Sequence, residues 1–103
     1  MALVDVNEYD ENVQFEIGQR IQKLRISRGI AGIDLAAYLN IGKNQLSRIE
    51  NGRANCTIQQ IYILAQVLSC SADYLLFGNK AMTISQEQVD SLKNLFAVFE
   101  NRL

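Results

Sequence analysis

The stretch GIAGIDLAAYLNIGKNQLSRIENG, residues 29–52, decides the fold of this chain. The apolar residues of its LAAYL segment fall at i, i+1 and i+4, which is the spacing of one inner helix face. Asn40 can then take the left-handed conformation of a tight turn at low cost. Gly42 opens a second helix, and Gly52 is a typical stop just beyond its end. The stretch therefore predicts a helix, a turn and a second helix.

The second of these helices has two chemically different faces. Leu46 and Ile49 are three residues apart and point inward. The opposite face is polar and cationic and contains Lys43, Asn44, Ser47, Arg48 and Asn51. An α-helix fits the major groove of DNA, where such side chains reach the edges of the bases. This helix is therefore a candidate for reading DNA.

The composition indicates a small domain without catalytic or metal chemistry. The 103 residues are 49% hydrophobic and include two cysteines but no histidine. Cys56 and Cys70 alone do not make a zinc site. We interpret them as small, partly buried side chains in a reducing cytoplasm, with a redox pair as the alternative. The chain has no glycine-rich phosphate loop and no paired carboxylates on one helical face, so we expect no enzyme, catalytic residue, metal or cofactor.

Charge is distributed unevenly along the chain, although the net charge is only −1. Residues 1–16 contain five carboxylates and no cation, whereas residues 17–55 contain seven lysines and arginines against two carboxylates. Residues 56–103 are nearly neutral. A basic segment around the polar helix favours DNA, because neutralising phosphates supplies most non-specific affinity. No apolar run approaches the roughly 18–20 residues of a membrane span, and no signal peptide is evident, so we expect a cytoplasmic protein.

The chain divides into an acidic arm, residues 1–12, a helical domain, residues 13–78, and a linker with a C-terminal helix, residues 79–103. Asn12 is the predicted N-cap of the first helix. The TIQQ segment that begins at Thr57 forms a capping box. The helix that follows is apolar nearly all round, so we expect it to be the central core helix. The chain has no proline and no strand-like alternation, which predicts an all-α fold.

The C-terminal segment carries an apolar stripe with the spacing of a coiled coil. Its residues are Val89, Leu92, Phe96, Phe99 and Leu103, with Leu95 widening the stripe. The stripe has two interpretations: a dimer seam, or a sixth helix packed on its own domain. We favour the dimer seam, because an uncovered stripe of this size would expose a large apolar patch.

Residues 17–78 resemble the Cro- and phage-repressor-type helix-turn-helix family, also called the XRE family. The matching segments are IGQRIQKLR, LAAYL and QLSRIENG, followed by a long apolar helix that runs into SADYLLFG. The resemblance implies a five-helix, lambda-repressor-like domain whose third helix enters the major groove. It makes Lys43, Asn44, Ser47 and Arg48 the residues that face the bases, with Gln45 at the flank.

The resemblance also assigns residues outside the base-reading face. Asn51, Arg53 and Asn55 look like contacts to the DNA backbone, and Arg25 and Glu50 look like a partly buried ion pair between the first and third helices. Some positions depart from the family. Gly32 stands where a glutamine often braces a phosphate, and Ala31 and Gly42 stand where a hydroxyl N-cap is common.

These features favour a transcriptional regulator that binds double-stranded DNA, and we expect a homodimeric repressor with a palindromic operator. A different class of function remains open: a protein-binding module on the same fold, such as an antitoxin or antirepressor. In that case the acidic arm and the apolar C-terminal stripe would bind the protein partner.

Overall fold

The computed structural model describes residues 6–80 together with residues 90, 93–95 and 97. The helices are α1 (Glu11–Ser27), α2 (Gly32–Tyr38), α3 (Lys43–Glu50), α4 (Ile58–Val67) and α5 (Ala72–Phe77), and a 3-10 turn follows at Gly78–Lys80. The described part of the chain contains no strand, so the predicted all-α fold is confirmed. Residues 90, 93–95 and 97 are helical.

The core lies where the five helices meet. Each helix or its end contributes at least one side chain with less than a tenth of its surface exposed; these are Ile17, Ile21, Leu35, Ala36, Leu39, Leu46, Ile49, Leu64, Leu68 and Leu75. The inner faces predicted for α2 and α3 are therefore the faces that pack. Burial of several aliphatic side chains, each worth about 1.5–3 kcal/mol, orients α3 with its polar face outward.

The predicted turns are confirmed by the backbone conformation. Asn40 has φ 55°, and Gly29 and Gly52 have φ 69° and 73°. Thr57 Oγ1 accepts from the Gln60 backbone nitrogen at 3.1 Å, and the Gln60 side chain accepts from the Thr57 nitrogen at 2.8 Å, which completes the capping box. These local features form as predicted because each depends on a few neighbouring residues.

The predicted start of the first helix is wrong by a few residues. Asp10, not Asn12, is the N-cap: its side chain accepts from the Val13 backbone nitrogen at 3.0 Å, and α1 begins at Glu11. Both residue types cap helices well. The longer helix places Glu11 in its first turn, where negative charge is favourable.

The prediction that α4 is the central core helix is also wrong. Within α4 only Leu64 is buried, while Ile58 is 91% exposed and Tyr62 is 70% exposed. An all-round apolar helix normally signals burial on every side. Here α4 lies at the edge of the described domain, and its outer apolar face has no neighbour among the described residues.

Candidate nucleic-acid interface

The outer face of α3 is a continuous exposed surface. Lys43, Asn44, Ser47 and Arg48 are exposed and Gln45 is half-buried, while Leu46 and Ile49 are 2% and 1% exposed. The Arg48 guanidinium donates to Gln45 Oε1 at 3.3 Å, one turn earlier. The other guanidinium nitrogens of Arg48 make no hydrogen bond to the described residues, so they are available for a bidentate contact.

A partly buried ion pair ties α1 to the end of α3, as the family resemblance implies. Arg25 Nε donates to Glu50 Oε2 at 2.8 Å and Nη2 donates to Oε1 at 3.0 Å. The third guanidinium nitrogen donates to the Ile30 carbonyl oxygen at 3.1 Å. The Glu50 side chain is 4% exposed. The hydrogen bonds that Arg25 donates to Glu50 raise the pKa of Arg25, and this planar, bidentate geometry is the strong form of such a pair.

The backbones of α1 and α3 approach each other closely. A Cβ atom at Gly18 would lie 2.6 Å from the Glu50 carbonyl oxygen, and a Cβ atom at Gly52 would lie 2.6 Å from Phe15 Cα. Gln19 Nε2 also donates to the Glu50 carbonyl oxygen at 3.0 Å. The C-terminal end of α3 is therefore held against α1 by backbone contact, a hydrogen bond and the ion pair together. The sequence analysis missed Gln19, for which only the resemblance of IGQRIQKLR offered a clue.

The loop after α3 contains three residues predicted to contact the DNA backbone. Arg53 and Asn55 are exposed. Asn51 is exposed too, but its Nδ2 donates back to the Ser47 carbonyl oxygen at 2.8 Å and to Ser47 Oγ at 3.3 Å. The structure thus engages the Asn51 donor in capping its own helix, whereas the Arg53 side chain has no hydrogen bond to the described part of the chain.

Gly32 lies at the N-terminus of α2, beside the Arg25 guanidinium. A Cβ atom there would lie 3.9 Å from Arg25 Cζ and 4.0 Å from Leu46 Cδ2, which is ordinary van der Waals distance. Ala31 and Gly42 are the N-caps of α2 and α3, and neither makes a side-chain cap hydrogen bond. The first backbone N–H groups of these two helices therefore have no side-chain cap and can donate to a phosphate.

Arg20 and Arg28, two cations of the basic segment, bind the protein's own backbone. Arg20 donates to the Leu75 and Leu76 carbonyl oxygens at 2.9 and 3.0 Å, and Arg28 Nε donates to the Leu68 carbonyl oxygen at 3.0 Å. These arginines satisfy the carbonyl groups at the ends of α5 and α4. Counting charges along the sequence could not show this, because the partners are 40 to 56 residues away.

The cysteines are free thiols in the structure. Burial raises the pKa of the Cys56 thiol to about 11 and also raises the pKa of Cys70, although Arg28 opposes the second shift. Both therefore remain protonated near neutral pH, which fits the interpretation as small core side chains.

The predicted dimerisation residues Val89, Leu92, Phe96, Phe99 and Leu103 lie outside the described residues. Leu95 is described and is 54% exposed. Phe77, at the end of α5, is 60% exposed. No helix in the described ranges combines the length and the apolar character needed to cross a bilayer.

Sequence comparison places this geometry among known proteins. The helix-turn-helix family model HTH_3 matches residues 21–75. The SPbeta prophage-derived uncharacterized HTH-type transcriptional regulator YonR of Bacillus subtilis is 27% identical over 86 residues, which cover 84% of this chain and 80% of YonR. The HTH-type transcriptional activator BcrR of Enterococcus faecalis is 23% identical, with 79% of this chain and 40% of BcrR covered.

Two solved structures are similar as well. The P22 c2 repressor, crystallised with a synthetic operator, superposes with a TM-score of 0.58 at 27% identity and covers 61% of this chain and 96% of its own. The SinR protein in its complex with SinI superposes with a TM-score of 0.54 at 30% identity, and 78% of each chain is covered. With its exposed α3 face and its family match, this chain belongs to the XRE-type helix-turn-helix family and is a DNA-binding transcriptional regulator rather than an enzyme.

Proposed function

We propose that the protein is a homodimeric repressor that reads a palindromic operator through the major groove and acts in the cytoplasm. The observation that carries the proposal is the exposed face of α3, which the Arg25–Glu50 pair and the α1 backbone hold in one orientation. Two findings support a repressor: the likeness to the operator-bound P22 c2 repressor and to a regulator of prophage origin.

In this proposal the α3 side chains read the bases. Arg48 presents its fork to guanine O6 and N7, and Asn44, one turn earlier, pairs with adenine N6 and N7. Lys43 and Ser47 lie on the same face and complete the reading surface, with Gln45 at its flank orienting Arg48.

Contacts to the sugar-phosphate backbone come from the loop after α3. Arg53 and Asn55 bind phosphates there, whereas Asn51 acts mainly as the cap of α3. Gly32 contributes its backbone N–H group. Such contacts set register and affinity but carry no sequence information.

A homodimer accounts for the apolar surface that the described domain leaves exposed. Ile58, Tyr62 and Phe77 are 91%, 70% and 60% exposed, and Leu95 is 54% exposed. Two copies of α3 would then lie roughly 34 Å apart, one turn of DNA. Truncation after Lys80 should leave a folded monomer with much weaker operator binding. A truncated protein that still sediments as a dimer would rule out the C-terminal segment as the dimer seam.

The decisive experiment is the selection of bound duplexes from a random DNA pool, followed by binding assays on the selected site. We expect a palindromic consensus. Arg48→Ala or Asn44→Ala should cost about 1–3 kcal/mol per half-site and relax preference at one base pair. Arg53→Ala should weaken binding to the selected and to the random DNA by the same factor. It should also reduce the slope of log affinity against log salt concentration by about one unit. If Arg48→Ala and Asn44→Ala lose the same affinity for selected and for random DNA, α3 does not read the sequence.

The second candidate is a module that binds another protein, such as an antitoxin or antirepressor. The similarity to SinR favours it, because SinR was crystallised in complex with the SinI protein. A gel-shift assay with and without the products of neighbouring genes separates the two. If a neighbouring product binds the chain, and Arg48→Ala, Asn44→Ala and Arg53→Ala leave DNA binding unchanged, the protein-binding function is preferred.

A further inference from the structure

The segment ahead of α1 reaches the loop that follows α3. The Tyr9 hydroxyl donates to Asn55 Oδ1 at 2.8 Å, across 46 residues of sequence. Burial raises the pKa of Tyr9, and the proximity of Cys56 adds to this shift. The phenol therefore lies against the 53–57 loop and stays protonated, so it remains a donor at neutral pH.

The Tyr9 hydroxyl donates to the oxygen of the Asn55 amide, so Tyr9 does not engage the amide nitrogen. An asparagine amide has one accepting oxygen and one donating nitrogen. Tyr9 occupies the oxygen, and Asn55 Nδ2 makes no hydrogen bond to any residue that the structure describes. A phosphate oxygen can only accept, so it needs the nitrogen. In this arrangement the amide nitrogen, which is the group that a phosphate requires, stays available.

Tyr9 is itself held close to α3 by its neighbours. Asp10, the next residue, caps α1 through the Val13 nitrogen. One turn later, the Phe15 backbone packs against Gly52, immediately beyond the end of α3. The cap and this backbone contact leave the segment before α1 little freedom relative to the loop. The Tyr9–Asn55 contact lies at the surface, with Tyr9 56% exposed, but the cap and the backbone contact hold the Tyr9 side of it close to the loop.

We propose that Tyr9 is a positioning residue for DNA binding, which holds Asn55 with its amide nitrogen presented to a phosphate. This inference rests on the proposed function, because it deepens the role of the loop after α3. Tyr9 does not read bases, so its contribution is the same for every DNA sequence. It belongs to a segment that is otherwise acidic, with exposed carboxylates at Glu8, Asp10 and Glu11.

The test uses the full chain and two duplexes, the selected site and a random sequence of equal length. Tyr9→Phe removes only the hydroxyl group, and we expect it to weaken binding to both duplexes by about 2- to 5-fold. Asn55→Ala should weaken both by about 2- to 10-fold, and the double variant should be no weaker than Asn55→Ala alone. Tyr38→Phe is the matched control, because Tyr38 is 62% exposed on α2 and its hydroxyl makes no hydrogen bond to the described residues; it should bind as wild type.

Asn55→Asp separates positioning from a purely structural role. The carboxylate still accepts from Tyr9 and so preserves the contact, but it turns a negative oxygen towards the phosphate. We expect an unchanged melting temperature and at least the DNA-affinity loss of Asn55→Ala. Wild-type affinity in Tyr9→Phe or Asn55→Asp, or additive losses in the double variant, would overturn the inference. Tighter binding by Tyr9→Phe would also overturn it and would make the acidic segment an obstacle to DNA.

The outcomes distinguish this inference from the proposed function. One outcome is that Arg48→Ala weakens binding to the selected site while Tyr9→Phe, alone or combined with Asn55→Ala, does not behave as described. In that case the proposed reading of DNA by α3 is retained and the positioning role of Tyr9 is rejected. If neither the α3 variants nor Arg53→Ala changes the affinity for DNA, the proposed function is rejected as well.

Discussion

Breaking the Arg25–Glu50 pair tests how firmly the recognition helix is held. The perturbation has two forms: Glu50→Gln removes the negative charge, and Arg25→Met removes the positive one. The two partners are unequally buried, with side-chain exposures of 16% for Arg25 and 4% for Glu50. A charge left without its partner costs more where water cannot reach it. We therefore expect the two variants to differ in a defined order.

The magnitudes follow from burial. Arg25→Met leaves the carboxylate of Glu50 buried and unpaired, which costs about 3–5 kcal/mol for a buried pair. Glu50→Gln leaves a guanidinium that is partly hydrated and still donates to the Ile30 carbonyl oxygen, so we expect about 2 kcal/mol, less than the full penalty. For a domain of this size 1 kcal/mol shifts the melting temperature by about 4–8 °C. Glu50→Gln should thus lower it by roughly 8–16 °C and Arg25→Met by more.

The assay is thermal and urea unfolding of both single variants and the double variant, with Glu16→Gln as the control. Glu16 is exposed on α1 and has no ion pair among the described residues, so its variant should stay within about 0.5 kcal/mol of wild type. The double variant should lose at least about 1 kcal/mol less than the sum of the singles. Additive losses, or a Glu50→Gln protein that melts like wild type and binds DNA equally well, would refute the reasoning.

Three further predictions concern single positions. Gly18→Ala should destabilise the domain by about 1–3 kcal/mol in urea unfolding, because the new methyl group meets backbone oxygen atoms. Gly32→Ala, where a Cβ atom would lie at an ordinary 3.9 Å from Arg25 Cζ, should stay within about 0.5 kcal/mol of wild type. Thr57→Ala should cost about 0.5–2 kcal/mol by removing the α4 cap, and Thr57→Ser should restore most of it. Burial raises the pKa of the Cys56 thiol to about 11, and only the thiolate reacts with a maleimide. At pH 8 Cys56 should therefore react far more slowly in the folded protein than in urea. Equal rates would contradict the burial of this thiol.

The sequence alone determined the features that depend on near neighbours. Asn40, Gly29 and Gly52 take the left-handed conformations that their side chains, or the lack of one, permit. The capping box at Thr57 closes within a single turn. The inward faces of α2 and α3 follow from helical spacing, and the Arg25–Glu50 pair came from the resemblance to a family whose fold brings those positions together.

Only the tertiary structure decided how the elements are used. The apolar periphery of α4 indicated burial, yet hydropathy cannot say whether a neighbouring helix or another molecule covers a face. Arg20 and Arg28 are two of the cations that make residues 17–55 basic and so suggested DNA binding. In the structure they bind carbonyl oxygens at the ends of distant helices. Tyr9 meets Asn55 only because α1 packs against the end of α3. Contacts of this kind join residues dozens of positions apart, and no local pattern in the chain encodes them.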